Sequence, residues 1–324
     1  MRVWRLRELG EPVERLHLED DSPPEPGPGE IAVDVEAVGL AFPDVLMCRG
    51  EYQMPTPDVF TPGGETCGTV AALGSGVDGP GVGERVVFLG GGGLSERVTA
   101  SADSVFACPD SLAPIKAAAI PLNYATTWFA LHDRAHLVEG EWLLVTGAAG
   151  GTGTAAIQLG RAAGARVVAV AGGEEKAALA RSTGAEVVVD HNENPEWVDL
   201  VREATGGGVD VAYDPVGGDT FHQVRRCMGW DGRLLVIGFV AGIPEAPMNH
   251  VLLKNYSIVG VHWGASLMRD PDSLGRQMSS IFDLAEKGAV DPPLFPPYAF
   301  DDAAQALQDL ADRKTYGKVV VEMP

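Results

Sequence analysis

A glycine-rich turn between a strand and a helix constrains this chain more than any other feature. Leu143–Val145 is a short apolar run typical of a strand buried on both faces, and apolar residues recur at helical spacing after the turn. The turn matches G-x-G-x-x-G as Ala148-x-Gly150-x-x-Gly153, with alanine in place of the first glycine. Glycines let the backbone approach a pyrophosphate, and the helix N-terminus offers it free N–H groups. This order predicts a dinucleotide-binding βαβ unit.

The length and charge of the chain limit its other possible roles. With 324 residues it can form two domains, each with its own core. The net charge of −21 argues against nucleic acid or an anionic membrane surface as a partner. No apolar run approaches the ~20 residues of a membrane-spanning helix. The N-terminal residues lack the apolar core of a signal peptide, which predicts a cytoplasmic protein.

The four cysteines do not indicate a metal centre. Cys48, Cys67, Cys108 and Cys227 are scattered, without a C-x-x-C pair or a histidine at ligand spacing. We therefore expect buried, reduced thiols and no structural zinc site.

Two styles of sequence indicate two domains. Residues 1–118 and 286–324 are β-rich, with short strands interrupted by Gly and Pro as in a small barrel. Residues 119–285 alternate strands with helices, which predicts an α/β fold with a doubly wound parallel sheet inserted into the first domain. Six strands are predicted, at Leu143–Val145, Arg166–Ala171, Glu186–Val189, Val209–Tyr213, Arg233–Gly238 and Tyr256–Val261. Helices are predicted at 116–136, with a break at Pro121, at Glu174–Thr183 and at Glu196–Ala204.

The residues that follow the second predicted strand favour NADP over NAD. An acidic residue about 20 positions beyond the glycine turn would hold the ribose 2′-hydroxyl of NAD, but this chain has Gly172-Gly173 there. Lys176 follows and can offer a positive charge to a 2′-phosphate. Glu174 and Glu175 place negative charge beside Lys176. The alternative to a phosphate-binding role is that these three residues form only the solvated first turn of a helix.

Several segments together resemble the medium-chain dehydrogenase/reductase superfamily, and more narrowly its zinc-free NADPH:quinone oxidoreductase branch. The segments are Ala148–Gly153 with Gln158, Gly208–Asp219, Gly232–Gly238, Leu253–Gly260 and Tyr316–Val320. The similarity runs the whole length of the chain. It implies a GroES-like β-barrel catalytic domain joined to a Rossmann domain, with NADPH as the cofactor. It also implies a homodimer, in which the last strand of the parallel sheet pairs across a two-fold axis.

The resemblance also implies that no catalytic zinc is present. Zinc alcohol dehydrogenases of this superfamily carry a Cys where this chain has Ala41, and a His where it has Gly64. Without these ligands a three-ligand catalytic site cannot be assembled. Alcohol oxidation is then disfavoured, and hydride delivery to a conjugated acceptor such as a quinone or an enone is expected.

The resemblance assigns the candidate site residue by residue. Thr126 matches a threonine near the nicotinamide, Lys176 matches a lysine at the 2′-phosphate, and His191 replaces a tyrosine often found after the third strand. Thr126 is also assigned a catalytic role, although a hydroxyl that caps a helical turn is the alternative. The full cofactor set is Thr126, Ala149, Gly150, Gly151, Thr152, Gly153, Gly172, Lys176, His191, Gly238, Phe239, Val240 and Lys318.

On the substrate side, Tyr52 matches the tyrosine of a Gly-x-Tyr motif that related enoyl-thioester reductases place at the substrate. Its phenol would orient a carbonyl or donate a proton after hydride attack, or it would only line the pocket. The predicted pocket residues are Leu40, Phe42, Tyr52 and Trp263. Three functions remain open: an NADPH-dependent reductase of quinones or similar conjugated carbonyls, an enoyl-thioester or enone double-bond reductase, and a weakly catalytic NADPH-binding protein.

Overall fold

The chain divides at residues 122/123 and 291/292 in this computed structural model, which describes all 324 residues. One unit comprises Met1–Leu122 and Pro292–Pro324, and the other comprises Asn123–Asp291. These divisions lie four and six residues beyond the predicted boundaries at 118/119 and 285/286. Each unit is described separately below.

The first unit begins with seven strands and three helices of one or two turns. Its strands are β1 (Arg2–Leu6), β2 (Leu16–Asp20), β3 (Glu30–Leu40), β4 (Glu65–Leu73), β5 (Arg85–Leu89), β6 (Arg97–Ser101) and β7 (Val105–Ala107). Its helices in this part are α1 (Pro12–Arg15), α2 (Phe42–Arg49) and α3 (Pro114–Ala117), with a 3-10 turn at Ala102–Ser104. The antiparallel β1–β2 pair was not predicted.

The second unit contains the alternating elements. Its helices are α4 (Pro121–Trp128), which begins in the first unit, a π-helix (Phe129–Arg134), α5 (Gly151–Ala162), α6 (Glu174–Thr183), α7 (Trp197–Ala204), α8 (Gly218–Cys227), α9 (Met248–Lys254), α10 (Trp263–Leu267) and α11 (Ser273–Glu286). Its strands are β8 (Trp142–Val145), β9 (Arg166–Ala171), β10 (Val187–Asp190), β11 (Val209–Asp214), β12 (Met228–Val236) and β13 (Ser257–Gly260). The chain then returns to the first unit with β14 (Tyr298–Ala299), a 3-10 turn (Phe300–Asp302), α12 (Ala303–Ala311) and β15 (Val319–Glu322).

The first unit is organised around β3. This strand pairs with β4, β6 and β15, all antiparallel, within a seven-stranded sheet. Six of the strands follow the order β14-β15-β3-β4-β5-β7, and β6 pairs with β3 outside this order. Its period-two pattern directs Ile31, Val33 and Val35 into a hydrophobic core with α12 and β15. The β-rich barrel domain predicted from the sequence is confirmed.

The second unit contains the predicted doubly wound sheet. Six strands run parallel in the order β10-β9-β8-β11-β12-β13, so the order reverses between β8 and β11. In such sheets ligands bind outside the carboxyl ends of the strands, at this reversal. The glycine turn begins there, because it follows β8 directly.

Two predicted elements differ in extent. The helix predicted at 116–136 is divided into α3, α4 and the π-helix, and α4 begins at Pro121, where the break was expected. The fifth strand begins at Met228 rather than Arg233. Its first residues include Asp231 at φ +63° and two glycines, a composition that resembles a turn. No helix in the structure has both the length and the apolar content needed to cross a membrane.

Candidate cofactor site

Backbone hydrogen bonds hold together the loops at the carboxyl edge of the parallel sheet. Thr146 N donates to Tyr213 O at 3.1 Å, which joins the ends of β8 and β11. Ala148 N donates to Val170 O at 3.2 Å, which joins the glycine turn to β9. The glycine turn and the loops after β9 and β11 therefore form one continuous surface.

The glycine turn is built from close backbone contacts. Gly147 adopts φ +56°, a conformation that favours glycine, and Gly150 is the N-cap of α5. A Cβ at Gly153 would lie 2.3 Å from Gly147 O, and a Cβ at Gly151 would lie 2.3 Å from Asn123 Nδ2. Neither position accepts a side chain without movement of the turn or of Asn123. The positive-φ glycine is thus Gly147, one residue before the alanine that replaces the first glycine of the motif.

This turn fits the pyrophosphate of a dinucleotide. Gly150 and Gly151 carry no side chain, and α5 begins at Gly151, so the free N–H groups of its first turn lie at the end of β8. Ala149 and Thr152 flank the glycines. The residues assigned to the pyrophosphate by resemblance therefore lie together on one turn.

A second cluster lies at the ends of β9 and β10. Gly172 packs against the His191 imidazole, since a Cβ at Gly172 would lie 2.7 Å from His191 Nε2. Asp190 Oδ1 accepts hydrogen bonds from Gly173 N and Asn192 N, each at 2.9 Å. These bonds, with the Gly173 bond first, lower the pKa of Asp190 and keep its carboxylate ionised. Lys176 is half-buried in the first turn of α6, which begins directly after Gly173.

Helix α4 carries Thr126 and is fixed to the sheet on both sides of it. Thr127 Oγ1 and Tyr213 OH lie 3.0 Å apart in the core, and burial raises the pKa of Tyr213 to about 12, so its phenol stays protonated. Tyr124 OH donates to Gln158 Oε1 of α5 at 2.7 Å. Thr126 is half-buried between these two anchored residues. The helix that bears it is therefore positioned against both β11 and α5.

The loop after β12 carries the remaining predicted cofactor residues. Phe239 is 45 % exposed, and Val240 N donates to Pro215 O at 3.4 Å. The loop after β11 is shaped by Asp214, whose Oδ1 accepts from Thr146 Oγ1 at 2.7 Å and from Val216 N at 3.0 Å. Gly238 lies over Pro215, since a Cβ there would lie 3.2 Å from Pro215 O. The structure thus brings Gly238, Phe239 and Val240 to the same sheet edge as the glycine turn.

In the first unit, Tyr52 and Phe42 accompany α2. Phe42 is its first residue, and both side chains are half-buried. Burial, and then the Asp44 carboxylate, raise the pKa of Tyr52. Asp44 accepts backbone hydrogen bonds from Ala41 N at 2.9 Å and Gly63 N at 3.0 Å. Asp44 therefore fixes the start of α2.

Three predicted site residues are placed differently. Lys318 is 3 % exposed and its ammonium is ion-paired with the buried Glu65 carboxylate, so it is not presented to a phosphate. Leu40 is 1 % exposed within the barrel core. Trp263 is buried and its Nε1 donates to Gln277 Oε1 at 2.9 Å. We therefore remove Lys318 from the candidate cofactor residues, and Leu40 and Trp263 from the candidate substrate pocket.

Other residues of the site were not singled out from the sequence. Asp190 and Asp214 hold the loops after β10 and β11, and Thr127 and Tyr213 anchor α4. The only sequence signal for the two aspartates is that each directly follows a predicted strand. His, Cys, Asp and Glu residues nowhere gather in groups of three able to hold a metal ion.

Comparison with known proteins agrees with this arrangement. The family model described as "Alcohol dehydrogenase GroES-like domain" matches residues 27–110, and the model described as "Zinc-binding dehydrogenase" matches residues 151–277. "Quinone oxidoreductase-like protein 2" of Mus musculus is 34% identical over 326 residues, covering 99% of this chain and 93% of the relative.

Solved structures with the same fold include NADPH complexes. The Escherichia coli quinone oxidoreductase complexed with NADPH is 27% identical with a TM-score of 0.91, covering 99% of this chain and 100% of that one. The mycobacterial protein Rv1454c complexed with NADPH is 31% identical with a TM-score of 0.91, covering 99% of both chains. The CurK enoyl reductase is 26% identical with a TM-score of 0.89, covering 100% of this chain and 99% of that one.

Proposed function

This chain belongs to the medium-chain dehydrogenase/reductase superfamily, in its quinone oxidoreductase branch, and we propose that it is a reductase that uses NADPH to reduce a quinone or a similar conjugated carbonyl. The observation that carries this proposal is the pair of glycine-containing turns at the carboxyl edge of the parallel sheet. The first is the glycine turn before α5, and the second is Gly172-Gly173 before α6.

The second turn supports NADPH as the donor. The end of β9 carries no carboxylate that would bond the 2′-hydroxyl of NAD or repel a 2′-phosphate. Lys176 offers a cation and His191 a ring beside Gly172. The opposing group is the ionised Asp190, although two backbone N–H groups already bond one of its oxygens. The NADPH complexes of the related structures agree with this assignment.

The chain's own residues orient the cofactor and exclude water around it. The first turn of α5 would bond the pyrophosphate, while Thr126 on the anchored α4 would bond the nicotinamide amide or the substrate oxygen. Gly238, Phe239 and Val240 would cover the nicotinamide ring at the end of β12. Bound NADPH supplies a hydride, which an acceptor already activated by conjugation can take up.

A metal-free reaction is part of the proposal. Alanine and glycine occupy positions 41 and 64, where zinc alcohol dehydrogenases have ligands. Glu65 is ion-paired with Lys318, and Asp44 is bonded to backbone N–H groups. Neither carboxylate is left to serve as a ligand. Hydride transfer would then depend on positioning and hydrogen bonds rather than on a Lewis acid.

The test is NADPH oxidation by the purified protein with a panel of acceptors: 1,4-benzoquinone, 9,10-phenanthrenequinone, trans-2-enoyl-CoA and 1-octen-3-one. Turnover of the quinones well above that of the enoyl-CoA and the enone supports the proposal. Tight binding of NADPH without reduction of any acceptor would instead identify a binding protein and refute the proposed activity. Thr126→Val removes the hydroxyl at constant shape, and Thr205→Val, at the C-terminal end of α7, is the matched control.

A second candidate function is reduction of an enone or enoyl-thioester double bond. Tyr52 favours it, because its half-buried phenol is a proton donor that could protonate carbon after hydride attack. The similarity to the CurK enoyl reductase agrees with this alternative. Preferential turnover of the enoyl-CoA or the enone, lost in Tyr52→Phe, would establish it over quinone reduction.

The proposed active form is a homodimer. β13 is the edge of the parallel sheet, and its residues Ser257–Gly260 are exposed or half-buried. An unpaired edge strand of this kind is a site for pairing with a second copy. The exposed Leu252 and Leu253 on the preceding α9 add apolar surface near it. Sedimentation should show a dimer, and Gly260→Pro, at an edge position whose N–H faces away from β12, should convert it to a monomer.

A further inference from the structure

A polar pocket of about 330 Å³, half open to solvent, lies in the second unit between the end of α4 and the helices α10 and α11. Its volume falls within the range of small-molecule sites. None of its lining residues belongs to the proposed cofactor or substrate sites. The chemistry of its walls determines what it would accept.

Gln277 is the best-fixed polar group in this wall. Its side chain is 4 % exposed, and its Oε1 accepts the hydrogen bond from Trp263 Nε1 at 2.9 Å. That bond fixes the orientation of the amide. Nε2, which carries two donors, forms no hydrogen bond within the protein although Gln277 lines the cavity. This oriented donor is available to an acceptor atom of a ligand.

Three serines supply acceptors on the same wall. Ser266 Oγ donates to Trp263 O at 2.6 Å, Ser273 Oγ donates to Asp270 O at 2.6 Å, and Ser280 Oγ donates to Arg276 O at 3.0 Å. Each hydroxyl proton is therefore engaged with the backbone. The lone pairs of the three oxygens remain available to donors on a ligand.

The cavity carries an excess negative charge. Its lining includes Asp133 and Asp270, but only one cation, Arg276, and Arg276 is ion-paired with Asp270. Asp133, which is exposed, is the lining carboxylate without an ion pair. His132 does not offset it, because burial lowers the pKa of this imidazole and keeps it neutral near pH 7. An anionic ligand would be repelled here.

Two aromatic rings complete the lining. Trp128 ends α4, and Phe129 and Asp133 belong to the π-helix that follows it, a conformation that occurs often at functional sites. A carboxylate beside aromatic rings attracts an organic cation through charge and through the ring quadrupole. We propose that this cavity binds a small organic molecule that carries an ammonium group and at least one hydroxyl. The ammonium would lie at Asp133 and the serine oxygens, and the hydroxyl oxygen would accept from Gln277 Nε2.

The proposal is tested by direct binding to the full chain, measured by calorimetry and ligand-observed NMR, with no dependence on the reductase activity. The probes are ethanolamine and glucosamine, with glucose as the neutral analogue and glucuronate as the anionic one. We expect the two ammonium compounds to bind in the millimolar range or tighter, and glucosamine to bind at least about ten-fold tighter than glucose. Glucuronate should not bind.

Two matched pairs of variants locate the site. Asp133→Asn should weaken glucosamine binding about ten-fold, whereas Asp283→Asn, an exposed carboxylate outside the lining on α11, should leave it unchanged. Ser280→Ala should weaken binding, and its neighbour Ser279→Ala should not. Lack of saturable binding by both ammonium compounds would overturn the proposal. Equal binding of glucose, or binding unaffected by Asp133→Asn and Ser280→Ala, would also overturn it.

Discussion

Substitution of Gly153 by alanine tests whether the glycine turn positions the cofactor. The new methyl would lie 2.3 Å from Gly147 O and 2.8 Å from Ala148 Cα, which are backbone atoms that cannot rotate away. The turn and α5 must separate by about 1 Å to reach ordinary van der Waals distances. Overpacking of this kind costs about 1–3 kcal/mol, which in a unit of this size lowers the melting temperature by roughly 3–10 °C. A misplacement of about 1 Å in a binding turn can reduce its function about 100-fold.

We therefore expect Gly153→Ala to remain folded while its Kd for NADPH rises at least about 100-fold, measured by fluorescence titration alongside thermal unfolding. Gly160→Ala on the same helix is the control, since its methyl would lie 2.5 Å from the flexible end of the Leu143 side chain. It should lose stability without losing NADPH affinity. Wild-type NADPH affinity in a folded Gly153→Ala protein would refute the role given to this turn.

Three further predictions follow from other groups. Lys176→Met should raise the KM for NADPH about ten-fold and leave that for NADH unchanged, because only NADPH carries the 2′-phosphate; an equal change for both donors would contradict the assignment. Asp190→Asn should have the opposite effect, a several-fold lower KM for NADPH, since it removes a negative charge near the 2′-phosphate while its amide oxygen can still accept from the backbone. Tyr52→Phe should lower enone reduction about 100-fold or more, while quinone turnover stays the same. Because burial raises the pKa of Tyr52 above its usual value of 10, the pH profile of enone reduction should show no inflection from this phenol below about pH 10.

Lys318→Met should destabilise the protein by about 3–5 kcal/mol, because it leaves the Glu65 carboxylate buried without its partner. Burial raises the pKa of Glu65, and loss of Lys318 would raise it further. A carboxyl whose folded pKa is raised favours the folded state while protonated and disfavours it as the pH rises through that pKa. Denaturant unfolding of the variant should thus show a larger loss at pH 8 than at pH 5. We expect the double variant Lys318→Met/Glu65→Gln to recover stability in the same measurement. A loss of stability in Lys318→Met that does not depend on pH would contradict the account.

The features that sequence predicts best are those fixed by local pattern. The strand Arg166–Ala171 and the helix Glu174–Thr183 follow from a buried apolar run and a well-marked helix end, and both occur where expected. The turn before α5 can also be predicted from local sequence, because the spacing of its glycines indicates where two backbone segments lie in close contact.

The errors concern side chains whose environment depends on distant residues. Lys318 follows a glycine in a recognisable motif, but its partner Glu65 is 253 positions away in the sequence. Only the folded barrel shows that the Lys318 ammonium forms an ion pair with this carboxylate. Trp263 lies after the last sheet strand as predicted, but the Gln277 amide that binds its indole comes from the next long helix. Asp190 was overlooked because its role depends on a bond to Gly173, which follows a different strand.

The most direct test of the central claim is the ratio of kcat/KM for NADPH to that for NADH, measured with 9,10-phenanthrenequinone as the acceptor. A 2′-phosphate held by one charge-assisted interaction at Lys176 contributes about 1.5–3 kcal/mol, which predicts a ratio between about 10 and 150. A ratio of that size, reduced to near unity in Lys176→Met, is the result expected here. A wild-type ratio of one or less, or no quinone reduction with either donor, would contradict the account.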